Sequence, residues 1–335
     1  MNATTAAAGH DPVHPMDETE LADLQRRLLA WYRAHRRDLP WRRTRNPYHI
    51  LVAEVMLQQT QVDRVIPKYH AFLARFPTIA ALAAAPTAEV IRAWAGLGYN
   101  RRAVNLQRTA QAVVERHGGE LPRDLNALLA LPGIGRYTAG AIACFAYEQD
   151  VGIVDTNIRR VLHRLFIGPE LPVPQATPRA IQALADRLVP PGEGYDWNQG
   201  LMEFGAVHCT ARKPACVVCP LRSHCRAYPA IQAALAAAPG AAARREEPFV
   251  GSSRYYRGRV IAALRRLPAG AAVDLLTLGP QVRDDFSPAW LPWLYEVVAG
   301  LARDGLAQLA EERAAYDAGD PAAGDPGRLR VRLPH

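Results

Sequence analysis

The chain has 335 residues, 49% of them hydrophobic, which is enough for about two domains and a sizeable core. Its formal net charge of +8 is carried almost wholly by arginine, since Lys68 and Lys213 are its only lysines, and it suits a polyanionic partner. No apolar run reaches the roughly 20 residues of a membrane span, and the first 20 residues hold Asp11, Asp17, Glu18 and Glu20 with no Lys or Arg, so neither a membrane protein nor a secreted one is expected and a reducing cytoplasm is.

In chain order, residues 1–16 read as a disordered leader. Apolar residues at i, i+3, i+4 spacing then predict helices over 21–32, 48–65, 88–94, 101–116, 125–129, 137–147, 156–166, 177–188 and 198–208. Prolines and Gly-Gly or Pro-Gly pairs fall between them, among them Pro40, Pro77, Pro86, Gly118-Gly119 and Pro132-Gly133. Nothing up to residue 228 alternates long enough for a sheet, so the main domain, 17–228, is all-α. An alanine-rich stretch, 229–252, reads as a linker. Beyond it, helices at 255–267, 275–282 and 288–304 precede two candidate strands, 306–311 and 328–333, joined by the polar loop 313–327; the small domain 253–335 is therefore expected to be winged-helix-like.

Three motifs carry chemistry. Cys209, Cys216, Cys219 and Cys225 are spaced C-x6-C-x2-C-x5-C. Four soft ligands in a short segment suit a [4Fe-4S] cluster or a zinc ion, and the single x2 knuckle between wide loops favours the cluster. Leu131-Pro132-Gly133-Ile134-Gly135 lies between helical segments, where glycines permit positive φ and backbone amides can converge on a phosphate without reading sequence. Asp155, in V-D-T-N-I-R-R, sits where an apolar stretch gives way to a helix, the position of an N-cap.

These segments together resemble the helix-hairpin-helix DNA glycosylase superfamily, and within it the adenine DNA glycosylases of the MutY type. The resemblance spans about 24–228 and is carried by LPWR at 39–42, EVMLQQTQV at 54–62, GLGY at 96–99, LPGIGRYTAGAI at 131–142, VDTN at 154–157 and the cysteine run. It implies two helical lobes, 40–150 and 17–39 plus 151–228 with the cluster loop at 209–225, that bind double-stranded DNA with a flipped adenine between them, and a monomer. It also implies a division of labour. Breaking an N-glycosidic bond needs an acid to protonate the leaving base and a carboxylate to face the cationic sugar. Glu54, in the apolar context VAEVML, is expected to be held protonated by desolvation; Asp155 is expected to be held ionised by a helix N-terminus. Tyr137 matches the tyrosine that hydrogen-bonds the Asp, and Asn157 the asparagine that orients substrate and water. Gln59 and Tyr99 match positions that wedge into the duplex, with Gln59 placed about 140° round a helix from Glu54. Arg42 and Gln199 match positions lining the adenine pocket, although Gln199 also reads as a solvated helix residue. Gly133 and Gly135 would hold phosphate, as would Arg212 and Lys213 in the cysteine run.

The same resemblance covers endonuclease III, which carries a Schiff-base lysine where this chain has Tyr137, so a monofunctional glycosylase with little strand cleavage is expected. Two departures stand out: Asn100 replaces a second aromatic after GLGY, and Thr156 replaces a glycine. The C-terminal region is also too short for the Nudix-like reader of 8-oxoguanine. A thymine or uracil mismatch glycosylase of the same superfamily, and a cluster-bearing winged-helix regulator without catalysis, are the competing readings.

Overall fold

A computed structural model of the chain describes residues 16–170, 175–237, 248–310 and 329–335. The leader before Met16, part of the linker and the loop 313–327 lie outside the described residues.

The helices in chain order are α1 (Glu18–His35), α2 (Pro47–Leu57), α3 (Val62–Arg75), α4 (Ile79–Ala84), α5 (Thr87–Ala93), α6 (Arg101–His117), α7 (Leu125–Leu129), α8 (Arg136–Phe145), α9 (Thr156–Phe166), α10 (Pro178–Arg187), α11 (Gly194–Val207), α12 (Tyr228–Ala237), α13 (Ser253–Arg266), α14 (Leu275–Val282) and α15 (Leu291–Arg303). The strands are β1 (Val273–Asp274), β2 (Gln308–Ala310) and β3 (Arg330–Arg332). The chain divides into two compact units.

The first unit comprises residues 1–50, 123–125 and 135–243. Asp17 and Glu20 form a reciprocal capping box that starts α1, whose Leu24, Leu28, Leu29 and Tyr32 make one buried stripe. That stripe packs on α11, which in turn packs on α9. The α9–α11 approach requires Gly205, because a Cβ there would fall 2.7 Å from the Asn157 Cβ and 3.0 Å from its carbonyl oxygen.

The second unit comprises 51–122, 126–134 and 244–335. Here α4 and α5 pack on α6, and α13, α14 and α15 pack on one another beside a sheet of order β1-β3-β2, antiparallel throughout. Val260, Leu264, Leu275, Leu278, Leu294, Val298 and Val331 share their core with Ile91 of α5 and Val104 of α6. Each such side chain contributes about 1.5–3 kcal/mol on burial. The C-terminal backbone is bonded to the start of α5 as well: Thr87 N donates to His335 O at 3.1 Å and Ala88 N to Pro334 O at 3.0 Å.

The structure departs from the sequence reading in three places. The predicted helix 48–65 is two helices, because α2 stops at Leu57 and α3 begins at Val62. Helix α4 and strand β1 had no signal strong enough to be predicted, and α12 occupies the first part of the stretch 229–252 read as a linker. The boundary between units also differs from the lobes 40–150 and 17–39 plus 151–228: residues 40–50 and 135–150 cluster with the first unit, and the C-terminal three-helix module clusters with residues 51–122. The cause is packing that sequence spacing does not show. Asn198 of α11 donates to Val151 O at 3.0 Å and lies 3.5 Å from the Cys144 Sγ of α8, tying α8 to α11.

Candidate active site and metal centre

Asp155 is the N-cap of α9, in extended conformation, and its Oδ1 accepts from Ile158 N at 2.6 Å. Its Oδ2 accepts from Asn157 Nδ2 at 3.1 Å. Asn157 Oδ1 accepts in turn from Arg160 Nη2 at 2.9 Å, and Arg160 continues to Gly205 O at 2.5 Å and, through Nε, to Cys209 O at 2.8 Å. The VDTNIRR segment therefore places Asp155, Asn157 and Arg160 in one hydrogen-bonded chain, since positions i, i+2 and i+5 span the first turns of one helix. Arg160 was not singled out by sequence reasoning; the double arginine was its only signal. Desolvation pushes the Asp155 carboxyl above its ordinary value, and the amide of Ile158 and the Asn157 side chain oppose that shift without cancelling it. Burial thus outweighs these hydrogen bonds in setting the direction of the shift. Tyr137 is the second residue of α8 and is half-buried.

Arg42 and Gln199 are brought together. Arg42 Nε donates to Gln199 Oε1 at 2.9 Å and Arg42 Nη2 to Glu203 Oε2 at 2.8 Å, while Arg37 Nε reaches Glu203 Oε1 at 2.5 Å. Gln199 is 5% exposed, so the solvated reading of it is overturned: it faces the arginine from inside α11. Glu203, four residues on and 1% exposed, is the anchor that sequence reasoning missed. Burial would raise its pKa, yet the hydrogen bonds from Arg37 and Arg42 win and hold it below the usual carboxylate range.

The four cysteines are unpaired thiols, and all line one pocket together with Val161, Leu165, Phe204 and Ile231. Burial pushes the Cys219 thiol up to about 12 and Cys225 up to about 11, while nearby amides, Leu221 for Cys219 and Ala227 for Cys225, pull the other way. Arg164 Nη1 lies 3.4 Å from Cys209 Sγ and donates to Thr210 O at 2.8 Å. Four thiols around one apolar cavity, served by amides and a guanidinium, fit a cationic metal group that would draw them into the thiolate state. Arg212 and Lys213 stand exposed in the same loop.

The remaining predicted residues belong to the second unit, apart from Gly135. Glu54 is 3% exposed in α2, flanked by the buried Ala53 and Val55. Gln59 is not on that helix; it occupies the following turn at φ +52°, so its direction comes from a left-handed backbone and the helical 140° argument fails. Tyr99 adopts φ +44° at the end of its GLGY turn and is 43% exposed. Both turns are held by one side chain. Arg102 of α6 donates through Nη1 to Val55 O, Met56 O and Gln58 O at 2.7–2.9 Å, and through Nη2 to Leu97 O at 3.1 Å and Gly98 O at 3.2 Å. A buried guanidinium thus satisfies carbonyls of the last turn of α2 and of Gln58 just beyond it. Of the two glycines in LPGIG, Gly133 needs its positive φ of +82°, and a Cβ there would meet Asn105 at 3.0 Å. Gly135 is extended and serves as the N-cap of α8, leaving no side chain in front of that helix's amides.

Residues 52–191 match the family described as HhH-GPD superfamily base excision DNA repair protein, and residues 209–225 match the iron-sulfur binding domain of endonuclease III. The protein is thus a DNA repair protein with a [4Fe-4S] cluster-binding loop, and Cys209, Cys216, Cys219 and Cys225 all fall within the matched residues. Among relatives, the chain is 46% identical over 243 residues to the adenine DNA glycosylase of Mycolicibacterium smegmatis, covering 71% of this chain and 79% of that one. The rat adenine DNA glycosylase is 43% identical over 68% of this chain, which spans 47% of that relative's length. A solved thermostable thymine-DNA glycosylase superposes with a TM-score of 0.59 at 34% identity, covering 63% of this chain and 98% of the other. The chain belongs to the adenine DNA glycosylase family. Among the described residues no helix is long and apolar enough to cross a membrane.

Proposed function

We infer that the chain is a monofunctional DNA N-glycosylase that releases adenine mispaired with 8-oxoguanine or guanine in duplex DNA. Adenine as substrate follows the relatives' names, and the mispairing is the reading that makes removal of an ordinary base useful. In this reading the flipped nucleotide exposes its N-glycosidic bond to two acids. Glu54 gives its proton to the base, the bonding pair leaves with the base, and the positive charge that develops on the sugar is faced by Asp155. Water, oriented by Asn157, then adds to the sugar carbon and gives its proton to the Glu54 carboxylate, which restores the acid, and Tyr137 fixes the Asp155 carboxylate. Arg42 and Gln199, locked by Glu203, would bind the adenine edge; Gln59 and Tyr99 would fill the space it leaves; Gly133, Gly135, Arg212 and Lys213 would take phosphate. The cluster would brace the basic loop by its four bonds to Cys209, Cys216, Cys219 and Cys225.

The observation that carries this is Asp155: a half-buried carboxylate whose two oxygens both accept hydrogen bonds at a helix start, where an anion can be held ready for a cation. The absence of strand cleavage rests on position 137, a tyrosine, and on the whereabouts of the only lysines: Lys68 lies beside Gly96, and Lys213 is exposed in the cysteine loop. Duplexes carrying A opposite 8-oxoguanine, A opposite G, and T or U opposite G, scored for breaks with and without alkali, test it. Adenine release with breaks only after alkali is expected. Breaks without alkali would overturn the monofunctional reading, release of T but not A would move the chain to the mismatch thymine class, and no release at all would favour the DNA-binding regulator.

A further inference from the structure

We propose that Arg254, in the first turn of α13, is a positioning residue for base release that fixes the Tyr99 ring in the attitude in which it enters the duplex. The proposal rests on the glycosylase reading above and gives the C-terminal module a task within it. Tyr99 is an aromatic residue in a left-handed backbone state that such residues rarely adopt, and its ring is exposed. Arg254 Nη1 donates to Tyr99 Oη at 2.7 Å. Its guanidinium carbon lies 5.5 Å from the Tyr99 ring centroid and 5.3 Å from that of Phe249, which is itself 53% exposed. Among the described residues Arg254 meets no carboxylate, so its charge is committed to the rings and open to DNA.

A second arginine on the same helix grips the far side of the turn. Arg265 Nη2 donates to Asn100 Oδ1 at 2.8 Å and to Ile91 O at 2.7 Å. Residues 254 and 265 stand about 16 Å apart along α13, so one rigid helix holds the turn at Tyr99 and at Asn100. Asn100, which departs from the aromatic expected after GLGY, is the acceptor for that grip. A tyrosine on an exposed turn would otherwise sample several rotamers, and ordering it at the moment of extrusion would slow that step; a ring fixed beforehand avoids this cost.

Single-turnover release of adenine opposite 8-oxoguanine, measured beside duplex affinity and thermal melting, tests the proposal on Arg254→Ala, Arg254→Lys, Tyr99→Phe and the Arg254→Ala/Tyr99→Phe double variant of the full chain. We expect Arg254→Ala and Tyr99→Phe each to slow release about tenfold, the double variant to be no slower than either, and Arg254→Lys to recover part of the loss, because both changes remove one shared interaction. Arg254→Ala at the wild-type rate, or losses that multiply in the double variant, would overturn it. Should Arg254→Ala not fold, Tyr99→Phe at the wild-type rate would overturn it as well. Wild-type protein that releases no base from any duplex would instead overturn the glycosylase reading, and would be seen before any variant is compared.

Discussion

Asp155 sets stability against chemistry. Its pKa is raised by burial, so folding favours the protonated form relative to the unfolded chain; the stability this gives is present below the unfolded value near 3.8 and is lost as pH rises through the higher folded value. At neutral pH the anion is therefore a standing cost, kept for what it does to a cationic sugar. Asparagine caps a helix as well as aspartate does and carries no charge. Asp155→Asn is predicted to abolish base release while raising the melting temperature at pH 7 by a few degrees, the gain shrinking as pH is lowered; melting curves across pH check it. Glu203 has the opposite sign. Its pKa is held low by Arg37 and Arg42, so its contribution is present above the unfolded carboxylate value and lost as pH falls through the lower folded one. Glu203→Gln would leave the Arg42 guanidinium, 10% exposed, without its anion, a loss of about 2–4 kcal/mol in denaturant titrations at pH 7 that narrows toward acid.

The elements differ in how far their causes reach along the chain. The cysteine loop was legible because its four ligands lie within seventeen consecutive residues, and the spacing alone reports the chemistry. The end of α2 was not, because its C-terminal carbonyls are satisfied by Arg102, 44 residues beyond Gln58; periodicity sees an apolar run continuing from 48 to 65 and has no term for a guanidinium arriving from α6. For the same reason the Gln59 direction was misplaced while its position in the chain was read from the resemblance. Arg102→Met keeps the volume but leaves those carbonyls without their donor, and we predict a destabilisation of about 2–4 kcal/mol by chemical denaturation, with both the Gln59 and Tyr99 turns loosened in hydrogen exchange. Cys219→Ser removes one of four ligands, and is predicted to lower bound iron and sulfide and to cost several kcal/mol of stability, read from metal analysis and melting of the purified protein.

At the scale of the whole molecule, the all-helical domain and its family were legible from six motifs in order, whereas the partition into units was not. A Pro- and Ala-rich stretch between residues 229 and 252 reads as a linker and so suggests a detached C-terminal domain. In the structure, that module buries Ile91 and Val104 and closes hydrogen bonds onto Thr87 and Ala88, contacts that sequence separation hides. The module therefore belongs to the unit that carries Glu54, Gln59 and Tyr99. The account as a whole depends on Glu54 as the proton donor to the leaving base. Its most direct test is single-turnover adenine release by Glu54→Gln beside the wild type, with duplex affinity measured in parallel: a loss of at least about a hundredfold in rate with affinity preserved is predicted, and release at the wild-type rate would contradict it.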